Sequence, residues 1–230
     1  MLPDRLVLTF HGLGRPAGAI DPAEAPYWVD TSVLHEAVDA ARRDPRIEIT
    51  FDDGYASDFH IACPVLAQAG LSATFFVLAG RLGQQGSLSK SDLAEMAAMG
   101  MRIGNHGHDH VNWTKCADDT LRRELYDARA VIEDAAGCAV DTLSVPFGAF
   151  DARVLRTAFA AGYRRVHTSS GGLAHRGARL VPRNTVRSDL DVGRMIADLT
   201  GWQSRARSAV RDPIRRWRYG VNTWAADRAP

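Results

Sequence analysis

Apolar residues come along this chain in two rhythms. Short runs rich in β-branched and aromatic residues, such as LVLTF, IEITF and ATFFVL, recur between turn-forming stretches. They predict strands at 6–10, 47–51, 73–78, 102–105, 142–146, 163–168 and 179–182. Between them, apolar residues spaced three and four apart predict helices at 31–43, 57–68, 91–99, 119–135, 152–161 and 192–199. Asp30 precedes the first of these as an N-cap. Ile61, Val65 and Leu66 share one face of the second, which ends before Gly70. Strands that alternate with helices of this length predict βαβ units and a parallel sheet. Seven strands without a glycine-rich phosphate fingerprint predict an α/β barrel or barrel-like wrap rather than a dinucleotide fold. In such folds the chemistry sits at the C-terminal ends of the strands.

Two segments break the rhythm. The loop 11–28 is long, and long loops in compact domains are often functional. From Gly201 onward the chain changes character: Arg205, Arg207, Arg211, Arg215, Arg216 and Arg218 interleave with Trp202, Val210, Ile214, Trp217 and Trp224. The expectation is one barrel domain at 1–200 and a basic, Trp-containing segment at 201–230. That segment would pack on the barrel, with contact at a membrane surface as the alternative.

Composition narrows the class. A chain of 230 residues with 46% hydrophobic content buries a full core as a single domain. A net charge of +1 offers nothing to a polyanion, so no nucleic-acid partner is expected. Cys63, Cys116 and Cys138 are odd in number and form no CxxC pair, which fits a reducing compartment and gives no metal signature. The stretch MLPDRLVLTFHGLGR does not read as a signal peptide, and no apolar run reaches the roughly 18 residues of a membrane span. The expectation is a cytoplasmic protein without a transmembrane segment.

The candidate chemistry lies in two strand ends. ITFDDGY, residues 49–55, leaves a hydrophobic strand through two adjacent acids, Asp52 and Asp53. Like charges this close repel, and an unpaired carboxylate is costly to bury. RIGNHGHDHVNW, residues 102–113, leaves another strand and delivers His106, His108 and His110. His106 and His110 share a face if the backbone turns helically there, with His108 pointing elsewhere. Taken singly, the histidine stretch reads as a polar, solvated loop, and the acidic pair either faces water at a turn or meets something positive. Together they open on the same barrel face. Two imidazoles and a carboxylate make a three-ligand site with an open position, the pattern of a hydrolytic zinc centre. One aspartate binds the cation, and the other acts as general base on water.

TFDDGY, followed by NHGHDH and then VPFGAFD at 145–151, resembles the polysaccharide deacetylase family with the NodB-homology domain, carbohydrate esterase family 4. The resemblance runs from about residue 6 to 183. It implies a distorted (β/α)7-type barrel and removal of acetyl groups from N-acetylhexosamines in glycans, or from O-acetylated xylan. Carried over by motif, Asp52 is the general base, and Asp53, His106 and His110 are the metal ligands. Gly107 stands where the family usually has Ser or Thr. The third motif usually begins with Arg, and here Ser144 takes that place. Pro146, Phe147 and Gly148 match the groove wall, with the Phe147 backbone N–H as oxyanion donor. Arg183, in LVPRNTV, is the candidate replacement for the missing arginine and is grouped with the substrate-contacting residues, as is Tyr55. The family's final strand-His motif is absent from the C-terminal half. LVLTFH at 6–11 resembles it instead, as in the circularly permuted branch that includes poly-N-acetylglucosamine deacetylases. His11 is therefore the expected general acid.

The resemblance thus implies a metal-dependent N-deacetylase, with Zn²⁺ as the cofactor and Co²⁺ or Ni²⁺ as substitutes. Its partner would be an acetylated glycan or a lipid-linked glycan precursor. An O-acetyl esterase and a sugar-binding pseudoenzyme of the same fold are the rival readings. His167 is expected to line the pocket or serve structure. Trp113 would stack on a sugar or pack at the barrel rim.

Overall fold

The computed structural model describes residues 4–175 and 177–201. In chain order they form β1 (Arg5–Phe10), β2 (Gly12–Leu13), β3 (Trp28–Val29), α1 (Thr31–Arg43), β4 (Ile47–Phe51), α2 (Cys63–Gln68), β5 (Thr74–Val77), α3 (Lys90–Ala98) and β6 (Arg102–Asn105). There follow α4 (Asp118–Arg122), α5 (Ala128–Ala136), β7 (Thr142–Ser144), α6 (Ala152–Ala160), β8 (Arg165–Thr168), β9 (Leu173–Ala174), β10 (Leu180–Pro182), β11 (Asn184–Thr185) and α7 (Val192–Thr200). A π-helical turn, Asp58–Ala62, leads into α2, and another, Arg123–Asp127, joins α4 to α5.

Local chemistry sets the helix starts. Asp30 accepts the Ser32 N–H ahead of α1, Asp151 the Val154 N–H ahead of α6, and Asp191 the Arg194 N–H ahead of α7. Ser89 and Asp92 form a reciprocal capping box at α3. The predicted helix 57–68 begins as the π turn, and the predicted helix 119–135 is one helical run interrupted by the second π turn.

The strands wrap in the order β10-β8-β7-β6-β5-β4-β1-β11 into a nearly closed barrel. All neighbours in this path are parallel, while β9 pairs antiparallel with the start of β1. The seventh predicted strand is split. β10 pairs with β8, and β11 pairs with β1, with Arg183 alone between them. This short crossing links the two edges of the sheet.

Alternation along the strands decides which side chains reach the site. Leu6, Leu8 and Phe10 of β1, with Ile49 and Phe51 of β4, join the large core cluster shared with helix residues Leu34, Val38 and Leu66. Phe10, Phe51 and Phe75 stack in series, with ring centroids 5.5 Å and 4.6 Å apart. Each such buried ring contributes roughly 1.5–3 kcal/mol. The intervening residues face inward: the hydroxyls of Thr9 and Thr50 meet at 2.8 Å, and Val7 packs with Val181 and Ala174. Extended by one step, the same inward phase carries His11 beyond β1 and Asp52 beyond β4. On β6 the inward position is Gly104. A Cβ there would come within 2.5 Å of the Phe76 ring, so glycine makes room for that ring inside the barrel.

The loop 11–28 is not wholly irregular. Gly12 and Leu13 pair in parallel with Trp28 and Val29, so the loop returns to its own start and folds over the barrel mouth. Pairs this short leave no alternation to read. Residues 202–230, on which the expectation of a basic, Trp-containing segment falls, lie outside the described residues. Among the described residues no helix is long and apolar enough to cross a membrane.

Candidate metal centre and active-site cleft

The first motif leaves β4 in register. The Asp52 N–H still donates to the Phe10 carbonyl at 3.0 Å, extending the β1–β4 ladder by one residue. Then Asp53 (φ 74°) and Gly54 (φ 66°) both turn left-handed. That conformation is uncommon for a residue with a Cβ and costs about 1–2 kcal/mol. It turns the chain sharply at the strand end and separates the directions of the two acidic side chains.

The second motif also begins in register, with the His106 N–H donating to the Val77 carbonyl at 2.9 Å. Beyond it the chain is not helical, contrary to the spacing-based expectation. Gly107 (φ 96°) and His110 (φ 55°) are left-handed, and the loop is tied to residues 79 and 80 by backbone hydrogen bonds. The open loop nevertheless brings the two rings together, with centroids 5.2 Å apart. His108 points away and lies 2.6 Å from Asp109, as expected.

Asp53 Oδ1 lies 3.4 Å from His106 Nε2 and 3.5 Å from His110 Nε2. Ligand atoms held about 2.0–2.2 Å from a tetrahedral ion are about 3.4 Å from one another. Asp53 Oδ1 is buried and has no hydrogen-bond partner among the described residues, an expensive state without a cation. His106 Nδ1 lies 2.9 Å from the Ser144 carbonyl, which can only accept, so the lone pair of His106 is on Nε2, facing Asp53. Donor set, spacing and orphaned oxygen all fit a divalent cation.

Electrostatics divides the two acids. Burial would push Asp52 up, but the Arg183 guanidinium and then His106 outweigh it and hold this carboxyl well below the usual carboxylate range. For Asp53 burial is outweighed by His106 and His11, bringing it down to about 2. Burial, reinforced by His106, lowers His110 to about 4, which leaves a neutral imidazole at pH 7. His106 is raised despite burial, because Asp52 and Asp53 both face it. A cation at this point would answer the same field and take up the Nε2 lone pair.

Arg183 meets Asp52 as a two-pronged fork. Its Nη1 donates to Oδ1 and its Nη2 to Oδ2, both at 2.7 Å. Nη2 also donates to the Ser144 hydroxyl at 2.6 Å, and that hydroxyl donates to Asp52 Oδ2 at 3.1 Å. Arg183 is fully buried over the Phe76 ring, so it meets Asp52 and presents no surface to a substrate. Its assignment to the substrate-contacting group is corrected accordingly. The sequence marks Ser144 only as a departure from the motif and assigns it no role. Its small side chain leaves the space the guanidinium enters, and its departure from the motif was the signal.

The two acids and the two candidate ligand histidines border a cavity of about 410 Å³. His11 lines it, as do Asp52, Asp53, His106 and His110. The His11 ring sits 5.1 Å from that of Tyr27, and its Nδ1 is buried without a partner among the described residues. Tyr55 lines the wall and packs on Trp28 at 4.8 Å. Phe147, 66% exposed, rests on His110 with centroids 4.5 Å apart. Its neighbours do not join it there: Pro146 is buried, and Gly148 (φ 65°) turns back beside Ser169, so both shape the turn that presents Phe147. His167 is buried in the barrel, near Thr142 and the Leu143 carbonyl, with its pKa lowered by burial and by Arg183. Trp113 is fully buried and is not available to stack on a sugar.

Residues 39–166 match the family model described as polysaccharide deacetylase. A chitooligosaccharide deacetylase of Rhizobium leguminosarum bv. trifolii is 32% identical over 134 residues, covering 57% of this chain and 60% of that protein. The peptidoglycan-N-acetylglucosamine deacetylase PgdA of Listeria monocytogenes serotype 1/2a (strain 10403S) is 30% identical over 128 residues, covering 55% of this chain and 27% of that protein. The chain therefore spans only part of the length of the curated relatives it matches. Among solved structures, the Streptococcus pyogenes deacetylase PplD in complex with acetate has the same fold, with a TM-score of 0.74 and 17% identity over 86% of this chain and 99% of that one.

Proposed function

The chain belongs to the polysaccharide deacetylase family, and from that premise we propose that it hydrolyses the acetamide of an N-acetylhexosamine within a glycan. Asp53, His106 and His110 would hold a divalent cation, with Zn²⁺ as the first choice for two imidazoles and a carboxylate. When bound, the cation polarises the acetamide carbonyl and acidifies a water. Asp52 takes the proton from the attacking water. The Arg183 fork holds that carboxylate ionised and in one orientation. Asp52 Oδ2 lies 3.9 Å from His106 Nε2, so base and cation site are adjacent. The Phe147 N–H is the proposed oxyanion donor, a contribution of roughly 3–4 kcal/mol for such groups. His11 protonates the departing nitrogen. The Phe147 ring and Tyr55 offer faces to a sugar.

The observation that carries this reading is the pairing of Asp52 with Arg183 beside an orphaned Asp53 oxygen. One acid is committed as a base and the other left open for a cation. It also weighs against a pseudoenzyme, since the arginine missing at 144 is replaced from 183. The test is acetate release from N-acetylglucosamine oligomers by chelator-stripped protein, before and after addition of Zn²⁺ or Co²⁺, with Asp52→Asn alongside. Metal-dependent acetate that disappears in the variant is expected. Acetate release that persists in Asp52→Asn would overturn the assignment of the base.

A further inference from the structure

Three consecutive backbone N–H groups of the ligand loop, those of residues 107, 108 and 109, are all taken up by side chains. The Gly107 N–H donates to Asn105 Oδ1 at 2.7 Å. The His108 N–H donates to Glu124 Oε2 at 2.8 Å, and the Asp109 N–H to Glu124 Oε1 at 3.1 Å. The Trp113 indole N–H adds a third donor to the same carboxylate at 3.2 Å. Glu124 is fully buried, and no basic side chain pairs with it among the described residues. Successive N–H groups that converge on one point form an anion cradle, and here the anion is a side chain from elsewhere in the chain.

The fit is steric as well as polar. A Cβ at Gly107 would lie 2.2 Å from Glu124 Oε2 and 3.1 Å from the Trp113 ring. The carboxylate thus occupies the volume that a side chain at 107 would fill, and φ 96° at that residue also favours glycine. Glu124 itself is anchored: it sits in the π turn Arg123–Asp127, and its carbonyl accepts the Asn105 side-chain N–H at 2.9 Å. Asn105 and Glu124 therefore hold all three residues between His106 and His110 by their backbone N–H groups.

We propose that Glu124 is a positioning residue for the metal ligands, fixing the loop 106–110 so that the two imidazoles converge on one point without a cation to draw them together. The proposal rests on the reading of His106 and His110 as ligands. It predicts that an isosteric change at 124, which removes acceptor capacity and little volume, weakens metal affinity in a protein that is still folded. In Glu124→Gln the amide NH₂ must face one of the N–H groups that the carboxylate accepts.

The test is Co²⁺ titration of chelator-stripped wild type and E124Q, read by the visible absorption of the bound ion, with apo-protein melting curves alongside. Wild type must bind one Co²⁺; if it does not, the ligand reading itself fails. Given that it binds, E124Q is expected to bind about 10–100-fold more weakly, as is common when groups that orient ligands are lost, with an altered absorption band. Unchanged affinity and band in folded E124Q would overturn the proposal. Gly107→Ala provides a second route, since it keeps Glu124 but displaces its carboxylate, and the same loss of affinity is expected. A third measurement needs no variant: in metal-free wild type the His108 and Asp109 amides should exchange at least about 100-fold more slowly than an open loop. Exchange at the unprotected rate would also overturn it.

Discussion

Arg183 and Asp52 stand 131 residues apart in sequence, and their side chains meet through two parallel hydrogen bonds of 2.7 Å in the closed interior of the barrel. The arginine comes from the crossing between β10 and β11, the aspartate from the end of β4. Neither position has meaning for the other until the sheet wraps round.

That contact predicts different outcomes for two replacements of Arg183. Arg183→Lys keeps a charge but loses the fork, so Asp52 is no longer held in one orientation. Acetate release should fall about 100-fold, the scale expected for misplacing a reacting group. Arg183→Met leaves a buried carboxylate unpaired and should cost about 3–5 kcal/mol of stability. Denaturant titration beside an acetate assay separates the two; equal stability of Arg183→Met and wild type would show that the pair is not integral to the fold.

The orphaned Asp53 oxygen predicts stabilisation by metal. At a free Zn²⁺ concentration of about 100 times Kd the gain is about 2.7 kcal/mol. For a chain of this size that is a rise of roughly 5–10 °C in Tm. Asp53→Ala should abolish the rise, and differential scanning calorimetry with and without chelator measures it.

His11 should matter more to amides than to esters, because an alkoxide leaves more readily than an unprotonated amine. His11→Ala is expected to lower N-deacetylation about 10²–10⁴-fold, the usual range for a general acid, and to spare most of the hydrolysis of an O-acetyl ester. Parallel assays on an acetamide sugar and an acetate ester read this split, and equal losses on both would remove His11 from the acid role.

Asp58 carries a pH dependence of stability. It is fully buried, both of its oxygens lack partners among the described residues, and burial together with Asp53 and Asp52 raises its pKa well above the ordinary value. The folded state therefore holds a proton that the unfolded chain gives up near pH 3.9. Between those two pKa values the unfolded state binds fewer protons at this group, so the contribution of Asp58 to wild-type stability falls as pH rises. Asp58→Asn should match wild type near pH 4 and become progressively more stable towards neutral pH. Melting curves across that range check the sign.

Much of the site was legible because it hangs on strand ends. A hydrophobic run that ends in DDG or in NHGHDH names its own chemistry, and β-alternation then places Asp52, His11 and His106 toward the barrel mouth. The spacing of His106 and His110 brought the two rings together through the wrong geometry, a helical turn where the chain makes an irregular loop. Apart from Arg183 as the stand-in for the missing motif arginine, partnerships across the fold could not be read. Glu124 looks like any acid on a helix until its π turn directs it at the loop, and Ser144 matters through the space it leaves. Trp113 sits next to the histidine motif in sequence, yet its side chain is drawn into the core by a buried acceptor. Tyr27 and Trp28 reach the cavity only because the loop before them closes on itself through two residue pairs.

The split closing strand also orders events in time. A ribosome delivers the chain from the N-terminus, so Asp53, His106 and His110 are all present before residue 183 has been added. A nascent or truncated chain ending short of that point carries all three candidate ligands but lacks the guanidinium that pairs with Asp52. The step that links the two edges of the barrel is also the step that completes the pairing of Asp52, so the two parts of the site are finished at different times.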